Sequence, residues 1–269
     1  MIQILIDNRT ADSSNLSSEH GLSIYFELGN QHWLLDVGAS DLFAHNAEAL
    51  GIDLEQIDGV ILSHAHADHT GGLAAFLQRN AKAKIYCSSA IQAEGYYSTR
   101  RGSKRSISID YSLLESHKER FVRINRNVEI APNLYLLSSI PHRYACPKAN
   151  STLLEGCHLD AFHHELAVVL KDQKTLLSSC SHLGLLNTLA AASDLNINRY
   201  IGGLHLVDST EGHTFESPAE LHALAQHIME HYPSLEIYTG HCTGERAFES
   251  LRQILGDQIH QFYTGYTIP

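Results

Sequence analysis

The stretch that decides the fold is Leu62-Ser63-His64-Ala65-His66-Ala67-Asp68-His69-Thr70-Gly71-Gly72. It contains three histidines and one aspartate, and zinc, iron and manganese accept imidazole and carboxylate ligands at neutral pH. Side chains alternate along an extended segment, so His64 and His66 would point the same way, whereas Asp68 and His69 would turn towards a second ion. The spacing therefore predicts two neighbouring metal ions. The plain alternative is a histidine-rich polar loop.

The residues on either side place this motif at the end of a buried strand. The apolar run Gly59-Val60-Ile61-Leu62 predicts the strand, and Gly71-Gly72 predicts a tight turn into a helix that follows from Leu73. Proteins of the α/β class place their chemistry at the carboxyl ends of buried strands. This position favours a metal site over a polar loop.

The motif resembles the signature of the metallo-β-lactamase superfamily, and further segments match that family in the same order. These segments are Leu34-Leu35-Asp36-Val37-Gly38, Asn46-Ala47-x-x-Leu50-Gly51-Ile52-Asp53 and Ile57-Asp58-Gly59-Val60-Ile61-Leu62-Ser63-His64. A narrower resemblance is to the dihydropteroate-synthase-related, methanopterin-biosynthesis-type metal-dependent hydrolases. Four segments carry it: Glu19-His20-Gly21-Leu22-Ser23, Ser179-Cys180-Ser181-His182, Gly202-Gly203-Leu204-His205-Leu206 and Thr239-Gly240-His241-Cys242-Thr243-Gly244-Glu245.

The resemblance implies an α/β fold, a four-layer αβ/βα sandwich that forms one domain over 1–269. The chain's own pattern agrees, because apolar strand runs alternate with helical spacers. Candidate strands cover 2–7, 22–28, 32–37, 59–63, 84–87, 134–137, 165–170, 175–179, 200–204 and 236–239, and candidate helices cover 42–50, 72–80, 184–193, 218–231 and 245–255. Ser217 followed by Pro218 and Glu220 is typical of a helix start.

The resemblance also implies six metal ligands: His64, His66, Asp68, His69, His182 and His241. Much of the superfamily carries a bridging aspartate where this chain has Ser179-Cys180-Ser181-His182, and no carboxylate lies between Lys174 and Asn187. His182 is therefore the expected third histidine of the first site. Cys180 is either a thiolate ligand or a buried structural thiol. His163, His164 and Glu165 are competing ligands or substrate contacts.

Further residues receive roles through the same resemblance. Asp36 would accept a hydrogen bond from a ligating histidine and fix its tautomer. Asp68 would also orient the nucleophile, and His205 would contact the substrate, its alternative being a core histidine. Glu19 and His20 would line the cleft, unless they simply form a strand-entry loop.

A basic segment at Tyr96–Arg105 interrupts an otherwise acidic chain. Arginine binds phosphate or carboxylate through two parallel hydrogen bonds, and tyrosine stacks on rings. Tyr97, Arg100 and Arg101 are therefore expected to hold an anionic substrate, within a lid at about 95–125. The alternatives are a solvated loop and a nucleic-acid patch, and one short cluster offers few phosphate contacts for the latter.

Composition agrees with a compact cytoplasmic enzyme. The chain has 269 residues, of which 43% are hydrophobic, and its formal net charge of −11 argues against a nucleic-acid partner. No apolar run approaches the ~20 residues of a membrane span, and the N-terminus does not read as a secretion signal. Five cysteines without a CxxC pair argue against structural disulfides.

These features predict a dinuclear metal-dependent hydrolase that uses a metal-bound hydroxide on a small anionic substrate, of the phosphodiester, cyclic phosphate or lactone class. Two divalent ions are the expected cofactors. Zinc is the first expectation, and manganese or iron suits the same ligands. One alternative is a pterin- or folate-pathway enzyme of the transferase type, and another is an iron-containing redox protein.

Overall fold

A computed structural model of the protein describes residues 1–269 and contains eighteen strands and seven α-helices. The strands are β1 (Ile2–Ile6), β2 (Ser23–Leu28), β3 (Gln31–Leu35), β4 (Gly59–Ile61), β5 (Lys84–Ser88), β6 (Tyr96–Ser98), β7 (Arg105–Ser106), β8 (Phe121–Ile124), β9 (Val128–Ala131), β10 (Leu134–Leu137), β11 (Leu153–Glu155), β12 (His158–Leu159), β13 (Ala167–Leu170), β14 (Thr175–Leu177), β15 (Arg199–Ile201), β16 (Glu236–Thr239), β17 (Ile259–Gln261) and β18 (Thr267–Ile268). The α-helices are α1 (Leu42–Ala49), α2 (Ala67–Thr70), α3 (Leu73–Arg79), α4 (Tyr111–Ser116), α5 (Leu185–Ala191), α6 (Pro218–His231) and α7 (Glu245–Leu255). Short 3-10 helices cover Leu54–Gln56, Lys118–Arg120, Lys148–Thr152, Ser193–Leu195 and Gly256–Gln258. None of the helices has the length and apolar character that a membrane span requires.

The chain divides into two compact units, and neither unit is one continuous stretch. Unit 1 consists of Met1–Arg126, Leu153–Leu166 and Tyr263–Pro269, and unit 2 consists of Asn127–Thr152 and Ala167–Phe262. The single domain expected over 1–269 stays a prediction.

Unit 1 is built on a seven-stranded sheet with the order β18-β1-β2-β3-β4-β5-β8. The pairs from β18 to β3 are antiparallel, and the pairs from β3 to β8 are parallel. Phe43 of α1 and Phe76 of α3 lie fully buried in the same core as Val60 of β4. A smaller antiparallel sheet has the order β12-β11-β6-β7. Because β3 and β4 are parallel neighbours, the loops that follow them leave the same edge of the sheet.

Unit 2 has its own seven-stranded sheet, with the order β17-β16-β15-β14-β13-β10-β9. The strands β14, β15, β16 and β17 are parallel, so their carboxyl ends share one edge. Helix α6 begins as the sequence predicts: the Ser217 side chain accepts the Glu220 N–H, the Glu220 side chain returns to Ser217, and Pro218 is the first helical residue.

The predicted alternation of strands and helices is confirmed, with several boundaries corrected. The strands expected over 32–37, 59–63, 175–179 and 200–204 end two or three residues early, at Leu35, Ile61, Leu177 and Ile201. The segment expected to form a lid at about 95–125 contains β6, β7, α4 and β8, so it is not simply a loop.

Candidate metal centre

In unit 1 the motif leaves the carboxyl end of β4 and enters the short helix α2. His66 caps this helix, Asp68 lies in its first turn and His69 in its last. The ring centroid of His64 lies 4.5 Å from that of His66 and 4.2 Å from that of His69, and all three rings are buried. Oδ2 of Asp68 lies 3.6 Å from Nε2 of His69. The strand end and the helical turn thus bring the four motif side chains together.

The protonation of these histidines suits metal binding. Burial lowers the pKa of His64 well below its usual value and also lowers that of His66, so both are neutral at pH 7. A metal requires neutral imidazole. Burial also opposes protonation of His69, but the carboxylates of Asp68 and Asp36 outweigh it and raise the pKa. A cation bound at Nε2 of His69 would replace the proton whose positive charge these two carboxylates stabilise.

Asp36 orients the motif from the end of β3. It is fully buried and adopts a left-handed backbone conformation (φ 61°). Its Oδ1 accepts the Ser63 N–H at 2.7 Å, and its Oδ2 accepts the Ser63 hydroxyl at 2.6 Å and lies 2.8 Å from His69 Nδ1. Because Nδ1 of His69 donates to this carboxylate, Nε2 is the atom that His69 would offer a metal.

Ser63 determines which ring nitrogen of His64 carries a proton. Its hydroxyl proton is committed to Asp36, and its oxygen lies 2.8 Å from His64 Nδ1, so that nitrogen must donate. Nε2 is therefore the atom that His64 would offer a metal.

His164 has both ring nitrogens engaged within the protein. Nδ1 accepts the Ala65 N–H at 3.2 Å, and Nε2 lies 3.0 Å from Asp160 Oδ2. This bonding makes His164 a support for the motif loop. His164 also offers a ligand atom within 4.8 Å of those of His66 and Asp160, so its alternative role as a ligand stays a prediction. His163 is exposed, whereas Glu165 is buried and its charge contributes to the raised pKa of His69.

Asp160 contacts the motif region, and it is not among the residues that the sequence predicts for the site. Its Oδ2 lies 3.8 Å from Nε2 of His66 and also contacts His164. Burial alone would raise the pKa of this carboxyl group, but the contacts with His164 and His66 outweigh it and lower the pKa. The spacing Asp160-x-x-x-His164 is the one local signal, and nothing in it points to His66.

The residues that directly follow the basic segment bond to the motif through their backbone. The Ala67 N–H donates to Ile107 O at 2.7 Å, and the Ile109 N–H donates to Ala65 O at 2.8 Å. Tyr96 contacts the motif region, with its ring centroid 6.0 Å from that of His66 and 4.4 Å from that of His164.

The side chains expected to bind the substrate lie further out on this segment. Tyr97 and Arg100 are half-buried, and Arg101 is exposed. The Lys104 ammonium lies 3.9 Å from the centroid of the Tyr97 ring. Substrate contact by Tyr97, Arg100 and Arg101 stays a prediction.

Glu19 and His20, in the strand-entry loop, contact different parts of unit 1. The carboxylate of Glu19 accepts the N–H groups of Ala39 and Ser40 and the Ser40 hydroxyl, at 2.7–3.0 Å, so it holds the loop after β3. Nε2 of His20 lies 3.3 Å from Asp68 Oδ2, and its side chain is 70% exposed. His20 is therefore a solvent-exposed neighbour of Asp68.

In unit 2 the three loops after β14, β15 and β16 each contain a strained residue. Ser181, His205 and His241 have φ values of 49°, 49° and 51°, in the left-handed region that non-glycine residues seldom adopt. Such strain clusters at functional sites. The Tyr200 hydroxyl ties two of these loops together, because it donates to Ser178 O or Gly203 O and lies 2.7 Å from Ser181 Oγ.

His182 is buried and is held twice by Asn150. Its Nδ1 lies 3.2 Å from Asn150 Oδ1, and its carbonyl accepts the Asn150 side-chain N–H at 2.7 Å. Nε2 is thus the atom that His182 would offer a metal. The His205 ring centroid lies 4.2 Å from that of His182. The role of His205 in catalysis stays a prediction.

His241 lies beside two cysteines. One ligand atom from each of Cys180, His241 and Cys242 falls within 4.8 Å of the other two. The residues of both units thus fit divalent metal ions in their donor chemistry, and the assignment of particular ligands stays a prediction.

The chain is similar to known proteins in both sequence and structure. The family model described as the metallo-β-lactamase superfamily matches residues 19–156, just over half of the chain. Tm1679, a metal-dependent hydrolase of the β-lactamase superfamily, has a crystal structure that matches with a TM-score of 0.77 and 28% identity, covering 98% of this chain and 96% of its own.

Two proteins of Methanocaldococcus jannaschii are similar in sequence. The uncharacterised protein MJ0448 is 24% identical over 94% of each chain. The 7,8-dihydropterin-6-methyl-4-(β-D-ribofuranosyl)-aminobenzene-5'-phosphate synthase is 25% identical, over 99% of this chain and 95% of its own. These similarities confirm the narrower resemblance and the predicted fold class. On the strength of the family match, the chain belongs to the metallo-β-lactamase superfamily.

Proposed function

We propose that this protein is a hydrolase that uses two divalent metal ions, held by His64, His66, Asp68, His69, His182 and His241. The observation that carries the proposal is the buried group of motif histidines, in which Asp36 and Ser63 fix the donor atoms. Burying several imidazoles together costs free energy that a bound cation offsets. Membership of the superfamily and similarity to the hydrolase Tm1679 support the same function.

The proposed substrate is a small anionic compound of the phosphodiester, cyclic phosphate or lactone class. When bound, two divalent ions lower the pKa of water and polarise a carbonyl or phosphoryl oxygen. Asp68 would orient the attacking water, because its carboxylate is 22% exposed while the motif rings are buried. Arg100 and Arg101 would bind the substrate's negative charge, Tyr97 would stack on a ring, and His205 would contact the reacting group.

A second candidate is a pterin-pathway enzyme of the transferase type. Similarity to the M. jannaschii synthase over 99% of this chain supports it. The two candidates share the metal ligands and differ in the substrate, so they are separated by product analysis. An iron-containing redox protein is the third alternative, and metal content separates it from both.

The first test measures metal per chain by mass spectrometry, on protein purified without chelator or histidine tag. About two zinc or manganese ions would support the hydrolase, and two irons would favour the redox alternative. The second test screens phosphodiesters and lactones with the parent, His66→Ala and the exposed control His45→Ala. We expect turnover that is lost in His66→Ala and kept in His45→Ala. Normal turnover in His66→Ala would overturn the proposal, and a pterin-dependent product would favour the second candidate.

A further inference from the structure

We infer that Cys180, His241 and Cys242 of unit 2 form a metal site with soft donors, in which both cysteines bind the ion as thiolates. The inference rests on the proposed function in one respect, namely that His241 is a metal ligand. It goes beyond that function because it adds two sulfur ligands and thereby names the class of metal.

The geometry suits a single ion. The sulfur atoms and one His241 nitrogen all lie within 4.8 Å of one another. Around a tetrahedral zinc ion, with Zn–S of ~2.3 Å and Zn–N of ~2.0 Å, donor atoms lie roughly 3.3 to 3.8 Å apart. The donors therefore need to approach by at most about 1–1.5 Å, which small side-chain rotations provide. Cys180 is buried, and Cys242 is half-buried.

The sheet of unit 2 brings these donors together. Cys180 follows β14, and His241 and Cys242 follow β16, while β15 lies between these two parallel strands. Gly203, in the loop after β15, leaves room for the sulfur of Cys242 because it has no side chain. A Cβ atom at this position would lie 2.4 Å from Cys242 Sγ. A side chain at this position would exclude the thiol.

The loop that carries His241 and Cys242 is fixed on both sides. Thr243 Oγ1 accepts the Leu204 N–H at 3.0 Å and lies 2.6 Å from Thr239 Oγ1. His241 lies just after the end of β16 and has a left-handed backbone conformation. A strained and restrained loop of this kind is what a preorganised ligand requires.

The surroundings of Cys242 favour its thiolate. The backbone N–H of His205 donates to Cys242 Sγ at 3.3 Å. Hydrogen bonds of this kind to a ligating sulfur stabilise its negative charge. As a thiol, Cys242 donates a long bond of 3.7 Å to Cys180 O. On metal binding each thiol releases its proton to solvent, and the lone pair of the thiolate forms the bond to the metal.

The sulfur ligands decide the class of metal. Thiolates select zinc and other thiophilic ions over manganese, magnesium and calcium, which prefer oxygen ligands. Zinc, and not manganese, is therefore the ion that this site should take from a mixture of the two.

The experiment titrates the metal-stripped, reduced full-length protein with Co²⁺, whose bonds to thiolate give an intense near-ultraviolet charge-transfer band. We expect the band in the parent, about half its intensity in Cys180→Ser or Cys242→Ser, in proportion to the remaining Co–S bonds, and none in the double variant. Cys146→Ser and Cys157→Ser are the matched controls and should keep it fully. Circular dichroism and thermal unfolding of each variant without metal check the fold.

Bound Co²⁺ without the band would overturn the inference, and so would a band that survives in the double variant. Failure of this inference and failure of the proposed function remain distinguishable. Metal-dependent turnover without the band would leave the hydrolase standing. The band without turnover of any substrate would leave the thiolate site standing.

Discussion

Replacing Asp36 by Asn is the sharpest test of how the motif is held. Asn keeps the size of the side chain and tolerates the left-handed backbone at φ 61°, so the change removes charge without adding backbone strain. One oxygen still accepts the Ser63 N–H. The amide NH₂ then faces two groups that donate to Asp36 in the parent, the Ser63 hydroxyl and His69 Nδ1.

The expected magnitude follows from these two contacts. Each hydrogen bond to a charged group contributes about 1.5–3 kcal/mol, so the free energy of unfolding of the metal-free protein should fall by about 3 kcal/mol or more. Loss of the partner that orients a ligating histidine typically weakens metal binding about 10- to 100-fold. Both effects should appear together, because one carboxylate holds the loop and the ligand.

The assay combines urea unfolding of the metal-free protein with zinc titration against a competing chelator. Asp53→Asn is the matched control, because Asp53 is exposed and its side chain accepts only the Glu55 N–H at a 3-10 helix start. That change should shift the free energy of unfolding by less than about 0.5 kcal/mol. If Asp36→Asn behaves like the control in both measurements, the reasoning on His69 is wrong.

Three further predictions concern other parts of the chain. Asp160→Asn should weaken zinc binding about tenfold, because Asp160 faces Nε2 of His66, and an unchanged zinc affinity would contradict this role. Gly202→Ala should lower the free energy of unfolding by at least about 2 kcal/mol, because the added Cβ would lie 1.8 Å from the Ser178 carbonyl oxygen. Gly212 is also at positive φ but has open space around it, so Gly212→Ala should lower the free energy of unfolding by less when both variants are unfolded with urea. Burial raises the pKa of the Cys87 thiol from 9.0 to about 11. The folded state keeps a proton that the unfolded chain loses, so stability should fall by up to about 2–3 kcal/mol as the pH rises through that range, and Cys87→Ala should show a shallower fall.

The part of the site that sequence predicts best is the part encoded locally. His64 to His69 lie within one strand end and one turn, so their convergence follows from a few backbone angles. Helix α6 is equally local, because the cap at Ser217 and the proline after it specify its start. The supporting contacts depend on tertiary structure: Asp160 reaches His66 and Asn150 reaches His182 from distant segments, with no pattern that links them.

The ends of strands are also hard to predict from the sequence, because buried apolar residues continue beyond them. Val37 and Leu62 are fully buried although they lie beyond the ends of their strands, so their hydrophobicity reads as strand. The sequence does not predict β7 and β12. Each is two residues long, which is too short to show an alternation of apolar and polar residues. Helix α2, with four residues, has no helical periodicity to detect.

The division of unit 1 into three stretches has a consequence for the order in which the chain folds. The metal motif emerges early during synthesis, but its support by Asp160 and His164 must wait for Leu153–Leu166. The edge strand β1 stays uncovered for longer still, until Tyr263–Pro269 brings β18 against it. An uncovered edge strand invites pairing with another chain. Nascent chains stalled before Tyr263 should therefore aggregate more readily than chains that include β18, however well unit 2 has folded.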